Sequence, residues 1–370
     1  MQKHKKILFL TLKVFSATGG IEKVCKVAGK ALYDLHPGNV TIFSVYDKQA
    51  DVDTKYFPTS IFTGFTAKKF KAFYYSIREG IKNNVVILSH INLLPIGFFI
   101  KIISPKTKLV LLAHGIEVWQ PLSDLKSKML QKLDLIVAVS NYTKNKMKSL
   151  YGAIKTEVLN NCLDPFLPET VNAEQTLPLY KKYNLSTKNF ILITVTRIAS
   201  DEKYKGHEKV LEAIAGMITE FPNIRYLIVG KYDHSEKARL DSLLDKYDLK
   251  EKIIFAGFVQ DEYLAGHYKL ADLFIMPSSG EGFGIAFIEA MYYGLPVIAG
   301  NKDGSTDALC NGELGLLVDP LNTNEIIAGI KKVITSKTPF IPDNHLLLQN
   351  FSYPVYKRNL HKLLMNLTYN

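Results

Sequence analysis

Short apolar segments alternate along the chain with longer segments that mix apolar and polar residues. The apolar segments are rich in Val, Ile, Leu and Phe, which is typical of parallel strands buried on both faces, and the intervening segments are long enough for helices. This alternation predicts an α/β protein with two doubly wound sheets. The expected strands are 7–11, 40–45, 85–89, 109–113 and 135–139, followed by 191–196, 226–229, 253–256, 273–276, 296–299 and 316–318.

The segment 164–183 separates the two sets of strands. It has no strand-like run and contains three prolines, Pro165, Pro168 and Pro178. This composition predicts a linker, with an N-terminal domain over 1–165 and a C-terminal domain over 166–350. Apolar residues at helical spacing over 353–367 predict a last helix that either caps the second domain or crosses back to the first.

The apolar stretches are too short for membrane spans. The first run is interrupted by Lys13 and has no small-residue cleavage site after it, so we interpret it as a buried strand and not as a signal peptide. The longest stretch, 91–103, contains Pro95 and Lys101 and is well short of the ~20 residues that cross a bilayer. Three cysteines without CxxC spacing exclude a disulfide framework and a zinc ribbon. We therefore expect a cytoplasmic protein without transmembrane helices.

The positive charge is concentrated in the first half of the chain. The whole sequence has a net charge of +11, but residues 1–170 carry 24 Lys+Arg and 12 Asp+Glu, which leaves 22 and 23 for residues 171–370. Basic and aromatic residues are interleaved over 65–83, and a second lysine cluster lies at 144–148. This pattern predicts contact with an anionic membrane surface, on its inner face, and not with nucleic acid; a solvated helix is the alternative.

A glycine-rich segment between two predicted strands is the strongest candidate for a binding site. A helix is expected to begin near Phe283, among the glycines Gly280, Gly282 and Gly284. Its first backbone N–H groups and its dipole would hold a phosphate. Glu289 lies within the apolar part of that helix, where an unpaired carboxylate is costly to bury. It therefore needs a donor, either the hydroxyl pair of a ribose or, as the alternative, a lysine or backbone amide of the core.

Glu281 and Glu289 enclose seven residues, and the surrounding Ser-Ser-Gly-Glu-Gly-Phe-Gly sequence resembles the E-x7-E signature of glycosyltransferase family 4. These are retaining enzymes that use nucleotide sugars and have the GT-B fold, two Rossmann-like domains facing a central cleft. In that family the first Glu contacts the donor sugar and the second binds the ribose. The resemblance therefore implies these roles for Glu281 and Glu289, and contacts of sugar and phosphate with the amides of Gly282, Phe283 and Gly284.

Two cations follow the first strand of the second domain. Arg197 ends that strand, and Lys205 comes eight residues later, directly before a glycine. The carboxyl ends of strands in doubly wound sheets are where ligands bind, and two cations there can hold a diphosphate as it leaves. The resemblance gives this role to Arg197 and Lys205, with Lys203 as the substitute for Lys205. A solvated surface is the alternative reading.

The resemblance also implies contacts for the nucleobase and for the first domain. The loop Gly257, Phe258 and Val259 corresponds to the family's nucleobase loop, although a structural turn has the same sequence pattern. Gly19 and Gly20 resemble a glycine turn where a donor phosphate or the acceptor approaches the backbone; an ordinary loop is the alternative.

His114, at the end of a predicted strand, resembles the family's histidine that contacts the donor sugar; a structural histidine is the alternative. His90 and Glu117 are expected to support it.

No metal or cofactor is expected beyond the substrates. Asp51 and Asp53 have DxD spacing but lie in a polar loop without a further acidic partner. The chain also departs from the family at 303–307, which replaces a Gly-Gly-x-Pro-Glu loop. There, Ser305 or Thr306 is expected to cap the next helix and to offer amides to the sugar.

Together these features predict a retaining, metal-independent glycosyltransferase. Its second domain would bind a nucleotide diphosphate sugar, and its first would present a hydroxyl of a lipid-linked or surface-polysaccharide glycan. Two rival hypotheses stay open: another GT-B enzyme, such as an epimerase or a phosphorylase, and a basic membrane-binding or nucleic-acid-binding protein without activity.

Overall fold

The computed structural model describes residues 5–152, 154–170, 172–337 and 340–369. The chain forms two compact units. The first unit comprises Met1–Pro165 together with Phe351–Asn370, and the second comprises Phe166–Asn350.

The first unit contains a seven-stranded parallel sheet. Its strands are short apolar runs, buried on both faces at the centre of the sheet, as expected for strands covered by helices. Their order is β3-β2-β1-β4-β5-β6-β7. The strands are β1 (Ile7–Thr11), β2 (Val40–Ser44), β3 (Phe62–Gly64), β4 (Val85–Leu88), β5 (Lys108–Ala113), β6 (Leu135–Ala138) and β7 (Thr156–Val158).

Helices cover both faces of this sheet. On one face, apolar residues of four helices share a core cluster with the strand residues Leu8 and Leu88. On the other face, the first helix packs in a second cluster with Ile7 and Phe9. The first helix is α1 (Gly20–Leu35), and the four helices of the opposite layer are α2 (Lys69–Gly80), α3 (Leu94–Ile103), α4 (Asp124–Leu130) and α5 (Asn141–Tyr151).

The second unit contains a six-stranded parallel sheet in the order β10-β9-β8-β11-β12-β13. Its strands are β8 (Phe190–Val195), β9 (Ile224–Val229), β10 (Ile253–Gly257), β11 (Leu273–Met276), β12 (Val297–Gly300) and β13 (Leu316–Val318). Its helices are α6 (Ala173–Lys182), α7 (His207–Met217), α8 (His234–Tyr247), α9 (Asp261–Leu270), α10 (Ile285–Tyr292), α11 (Ser305–Ala308), α12 (Thr323–Thr335) and α13 (Asn344–Phe351).

The last helix, α14 (Tyr353–Tyr369), packs on the first unit. Tyr356, Leu360 and Leu364 are buried in the same core cluster as the apolar face of α1. The hydroxyl of Tyr353 donates to Asp34 at 2.8 Å. The end of the chain is thus part of the core of the first unit.

The doubly wound α/β fold expected from the sequence is confirmed, and each predicted strand occurs within one or two residues of its expected limits. The pattern missed β3 and β7, which are three-residue strands at the edges of the first sheet. The segment expected as a linker contains α6 despite Pro178. This helix packs against α9, where a Cβ at Gly266 would lie 3.1 Å from the carbonyl oxygen of Gln175, so only a small residue permits the contact.

Candidate functional site

The glycine-rich loop of the second unit connects β11 to α10. The helix begins at Ile285, two residues later than expected, and its N-cap is Gly284 with φ +86°. No described side chain caps this helix. The amides of its first turn have no acceptor within the helix, and the helix dipole is positive at this end, so the loop has the properties of an anion site.

Lys205 and Glu281 meet at this loop. The Nζ of Lys205 donates to the carboxylate of Glu281, and the two side chains are only 12% and 17% exposed. Burial by itself lowers the pKa of Lys205, but the charge and hydrogen bond of Glu281, together with the charges of Tyr204 and Glu202, outweigh it and raise the pKa above its ordinary value. Lys205 is therefore a permanent cation beside the glycine loop.

The backbone conformation at position 206 explains why a glycine follows Lys205. Its φ is +82°, and a Cβ there would lie 2.4 Å from the carbonyl oxygen of Pro277. Only glycine brings this backbone against the end of β11. The Lys-Gly pair of the sequence is therefore a close backbone approach that places Lys205 next to Glu281.

Asp303 holds the backbone of the glycine loop. Its carboxylate is 1% exposed and accepts from the Ser278 hydroxyl at 2.6 Å, the Glu281 N–H at 2.6 Å and the Ser305 N–H at 2.9 Å. Burial raises the pKa of this carboxyl group despite these donors. Gly304 lies so close that its N–H donates to the Glu281 carbonyl at 2.8 Å.

The expectation for the 303–307 segment is wrong in its details. The N-cap of α11 is Gly304, not Ser305 or Thr306. The N–H groups of Ser305 and Thr306 donate to the side chain and the carbonyl of Asp303. These amides are therefore engaged in holding the loop and are not offered to a sugar.

Arg197 lies at the exposed side of the same cluster. Its guanidinium bonds to Glu202 at 2.6 and 3.2 Å, while its side chain stays 63% exposed. The hydrogen bonds with Glu202 raise the pKa of Arg197. Tyr204 fills the space between the two loops, because a Cβ at Gly280 would lie 2.7 Å from its ring. Burial raises the pKa of Tyr204 to about 12.

Glu289 lies in a separate aromatic cluster. It is 3% exposed and accepts from the hydroxyl of Tyr268 at 3.0 Å. The ring of Tyr293 stacks on that of Tyr268 with centroids 5.6 Å apart. The donor that burial requires is thus a tyrosine, which was not among the partners expected from the sequence. Its contact with a ribose stays a prediction.

The expected nucleobase loop lies at the ends of β9 and β10. Gly230 donates its N–H to the carbonyl of Gly257 at 2.9 Å, and a Cβ at Gly230 would lie 1.8 Å from the Thr196 carbonyl oxygen. Phe258 is 46% exposed, with the Nζ of Lys231 4.6 Å from its ring centroid, and Val259 is half-buried. An exposed aromatic ring beside a cation can stack on a planar base.

In the first unit, a cavity of about 390 Å³ lies at the carboxyl end of the sheet. Gly19 is the N-cap of α1, and the carboxylate of Glu22 lies 2.4 Å from the position of a Cβ on Gly19, while Gly20 faces open space. The cavity combines aromatic, basic and acidic side chains: it is lined by Leu12, Lys13, Ile21, Glu22, Tyr46, Ser89 and His90.

His114 contacts the wall of this cavity. Its Nε2 lies 2.7 Å from the carbonyl oxygen of Ser89, and its backbone N–H donates to Glu117 at 2.6 Å. Because a carbonyl only accepts, Nε2 carries the proton and the Nδ1 of the neutral ring is an acceptor. This Nδ1 is buried and has no hydrogen-bond partner among the described residues. His90 uses its Nδ1 differently, as acceptor for the Asn92 N–H at 3.0 Å.

The second unit brings Arg197, Lys205, Glu281 and the glycine loop into one cluster, whereas Glu289 bonds to Tyr268 and Phe258 lies beside Lys231. Sequence reasoning missed Glu202, Tyr204, Tyr268 and Asp303. Tyr268 and Asp303 act as partners across 21 and 22 positions of the chain, and Glu202 and Tyr204 lie in a loop without a motif. In the described part of the chain no group of three or more His, Cys, Asp or Glu is placed to hold a metal. Across the same ranges no helix is both long and apolar enough for a membrane span.

Comparison with known proteins connects this geometry to a family. The family model for glycosyl transferases group 1 matches residues 178–346. A GDP-mannose-dependent alpha-(1-6)-phosphatidylinositol monomannoside mannosyltransferase of Mycobacterium tuberculosis is 27% identical over 238 residues, 60% of each chain. The alpha-monoglucosyldiacylglycerol synthase of Acholeplasma laidlawii is 31% identical over 163 residues, 44% of this chain and 39% of that one. The chain thus spans well under two thirds of these relatives.

A solved structure matches the whole fold. The Anabaena protein HepE, crystallised with UDP and glucose, has a TM-score of 0.80 at 19% identity and covers 98% of this chain and 100% of its own. These matches agree with the resemblance stated from the glycine-rich segment as far as glycosyltransferases and the GT-B fold. Residues 178–346 of the second unit thus resemble glycosyl transferases group 1, and the chain as a whole has the GT-B fold.

Proposed function

We propose that this protein transfers a sugar from a nucleotide diphosphate sugar to a hydroxyl group of a lipid-linked or polysaccharide acceptor. The observation that carries the proposal is the buried contact between Lys205 and Glu281 beside the N-terminus of α10. It joins a permanent cation, a carboxylate and a helix N-terminus in one cluster, and these are the groups that a sugar diphosphate needs.

The cations of the cluster have donors to spare for a diphosphate. Lys205 has three N–H donors, of which Glu281 takes one, and Arg197 has five, of which Glu202 takes two. Both can therefore bind phosphate oxygens without losing their carboxylate partners. As the bond to the sugar breaks, the leaving diphosphate gains charge, and two fixed cations stabilise it most at that moment.

The reaction that fits these groups is a front-face displacement with retention of configuration. The bond between the anomeric carbon and the diphosphate oxygen breaks through an oxocarbenium-like state. The acceptor hydroxyl then attacks from the same face and passes its proton to the departing diphosphate. Glu281 accepts a hydrogen bond from a sugar hydroxyl and sets the geometry of attack. In this scheme Arg197 and Lys205 neutralise the diphosphate, and no metal is required.

The acceptor side of the proposal rests on the cavity of the first unit. Tyr46 offers an aromatic face, and Lys13, Glu22 and His90 offer polar groups, a combination that suits a sugar or another polyhydroxyl compound. Two relatives are named for lipids, a phosphatidylinositol mannoside and a diacylglycerol. These names support a lipid-linked acceptor, at the cytoplasmic face of a membrane, as the first class to test.

The test compares two carboxylates of the second unit. We expect Glu281→Ala to abolish transfer almost completely, because it removes a sugar contact and leaves Lys205 without its partner. The control is Glu220→Ala, which removes an exposed carboxylate paired with Lys331 and should leave turnover unchanged. Turnover is measured as nucleoside diphosphate release with a panel of UDP and GDP sugars, with and without a chelator.

The product separates this proposal from its rivals. Retained anomeric configuration by NMR supports the front-face reaction, and activity without loss in chelator supports metal independence. Interconversion of the nucleotide sugar in the absence of acceptor would indicate an epimerase, and release of a sugar phosphate a phosphorylase. A fully active Glu281→Ala enzyme would refute the assignment of the site.

A further inference from the structure

The helix layer α2–α5 carries most of the positive charge of the first unit. Residues 65–152, which contain these four helices, have 14 Lys+Arg against four Asp+Glu, a net charge of +10. Some of these lysines are paired, such as Lys101 with Asp134 at 2.7 Å and Lys144 with Glu157 at 3.4 Å. Several others are exposed and make no ion pair with the described residues: Lys68, Lys106, Lys128, Lys132 and Lys148.

Large apolar side chains are exposed on the same layer. Phe73 of α2 lies edge-on against Phe99 of α3 with ring centroids 5.6 Å apart, so the two helices are neighbours and their outer residues are continuous. We name this surface the α2–α3 face. It comprises Phe70 (94% exposed), Tyr74 (61%), Ile102 (57%), Ile103 (57%) and Phe99 (43%).

The outer side of α3 is unusual for a helix that covers a sheet. Its inner side packs Leu94, Ile96 and Ile100 into the core, as expected. A helix with one face in the core normally carries polar residues on the face in water. The outer side of α3 is apolar instead, and its one charged residue, Lys101, is tied to Asp134. Core packing therefore does not explain the outer side chains, and contiguous exposed apolar surface of this kind marks an interaction site.

We propose that the α2–α3 face binds the surface of an anionic lipid bilayer. Phe70, Tyr74 and the residues of α3 would enter the headgroup region, and the lysines before and within α2, Lys68, Lys69 and Lys71, would lie at the level of the lipid phosphates. Amphipathic helices with lysines beside aromatic side chains bind anionic membranes through burial of their apolar side chains and through attraction between the lysines and the lipid phosphates. The charge favours lipid phosphate over a zwitterionic surface. One consequence rests on the proposed function: the acceptor cavity of the same unit would work at a membrane.

The experiment measures binding of the full chain to two kinds of vesicle. One is made of phosphatidylglycerol and phosphatidylcholine in equal parts, and the other of phosphatidylcholine alone. We expect co-sedimentation with the first kind only, decreasing as salt is added. Replacing the three lysines by Lys68→Gln, Lys69→Gln and Lys71→Gln should weaken binding about a hundredfold at low salt, at about fivefold for each charge near the surface.

A second variant tests how much the exposed apolar side chains contribute to membrane binding. Phe70→Ser with Ile102→Ser should weaken binding about tenfold or more and make the remaining binding more sensitive to salt. Matched controls lie in the second unit: Leu321→Ser with Ile341→Ser removes exposed apolar side chains, and Lys181→Gln, Lys182→Gln and Lys188→Gln removes three exposed lysines. Both controls should bind as the unchanged protein does.

Three outcomes would overturn the proposal: no binding to anionic vesicles, equal binding to both kinds of vesicle, or an equal loss in the second-unit controls. Binding of UDP and GDP by calorimetry in the same samples keeps the two proposals distinguishable. Loss of vesicle binding with nucleotide binding intact counts against the membrane surface alone. Vesicle binding without any nucleotide binding counts against the glycosyltransferase site alone.

Discussion

The charged side chains at the carboxyl end of the second sheet are paired with each other, whereas those that line the cavity of the first unit are not. Lys205 meets Glu281, but Lys13 and Glu22 make no ion pair with any described residue. Paired groups keep a loop ordered before a ligand arrives, which reduces the entropy lost on binding. The second unit thus has the features of a preformed site, and the first those of a site that its ligand completes.

The two units share one structural feature at the carboxyl ends of their sheets. Each has a buried aspartate that accepts backbone N–H groups from a loop. In the first unit Asp47 accepts from Val14 and Ser16, both at 2.7 Å, and in the second Asp303 accepts from Glu281 and Ser305. In the second unit one of the held residues is itself a charged candidate, Glu281, whereas in the first unit the held residues Val14 and Ser16 are not charged. The same substitution in the two units should therefore have different consequences.

The largest effect is expected from Asp303→Asn. The amide places an N–H group where the Glu281 N–H needs an acceptor, which loosens the loop, and a shift of about 1 Å costs on the order of a hundredfold in turnover. Asp47→Asn is the matched variant and should destabilise the first unit without changing UDP or GDP binding. Steady-state transfer and calorimetry check both. If Asp47→Asn weakened nucleotide binding as much as Asp303→Asn, the contrast between the units would be lost.

A smaller effect is expected from His114→Phe. The phenyl ring keeps the bulk of the side chain but removes both the donor to Ser89 and the buried Nδ1 acceptor, so we expect turnover to fall about tenfold to a hundredfold. Binding of UDP or GDP should not change, because the proposed nucleotide site lies in the second unit. His361→Phe is the control, because its Nδ1 is also buried without a partner among the described residues but lies on α14. Equal losses of turnover in the two variants would show that His114 has only a structural role.

The smallest effect concerns stability and pH in the second unit. Burial, with the charges of Lys205 and Arg239, lowers the pKa of His207 to about 3. In the unfolded chain a histidine binds its proton near pH 6.5, so the unfolded state gains protons first as the pH falls. The stability that His207 contributes is complete above pH 6.5 and is lost toward pH 3, at about 1.4 kcal/mol per pH unit.

Between pH 7 and pH 5 the second unit should therefore lose about 2 kcal/mol in its free energy of unfolding, and His207→Gln should remove this loss. The measurement is urea unfolding by circular dichroism, with the exposed His345→Gln as control. Trp119, the single tryptophan, lies in the first unit, and its fluorescence reports that unit separately. An unchanged pH dependence in His207→Gln would contradict the prediction.

Most of the fold was predictable because buried parallel strands are a local signal. The runs 7–10 and 273–276 are apolar throughout, and the predicted strands 7–11 and 273–276 agree in their limits with β1 and β11. The edge strands β3 and β7 were not predictable, since three residues carry too little pattern. Helix α6 was missed because Pro178 within it and the two prolines before it are typical of a loop, whereas its packing against α9 is a tertiary contact.

The candidate site was predictable where a motif is contiguous and was missed where a partner is distant. The glycine loop and Lys205-Gly206 stand out in the sequence because special backbone conformations restrict the residue type. Tyr268 and Asp303 have no such signal. Tyr268 is 21 positions from Glu289 in the sequence, and Asp303 is 22 positions from Glu281. Only the fold brings each of them next to its partner.

The sequence by itself determined the two doubly wound sheets, the glycine loop and the unequal charge of the two halves, because hydrophobic pattern, glycine and charge are properties of each position. Only the tertiary structure decided which groups meet. It paired Lys205 with Glu281 across 76 positions and placed the Nε2 of His114 against the carbonyl oxygen of Ser89. It also left the outer side of α3 exposed. These features depend on hydrogen bonds and burial between distant segments, which exist only once the chain has folded.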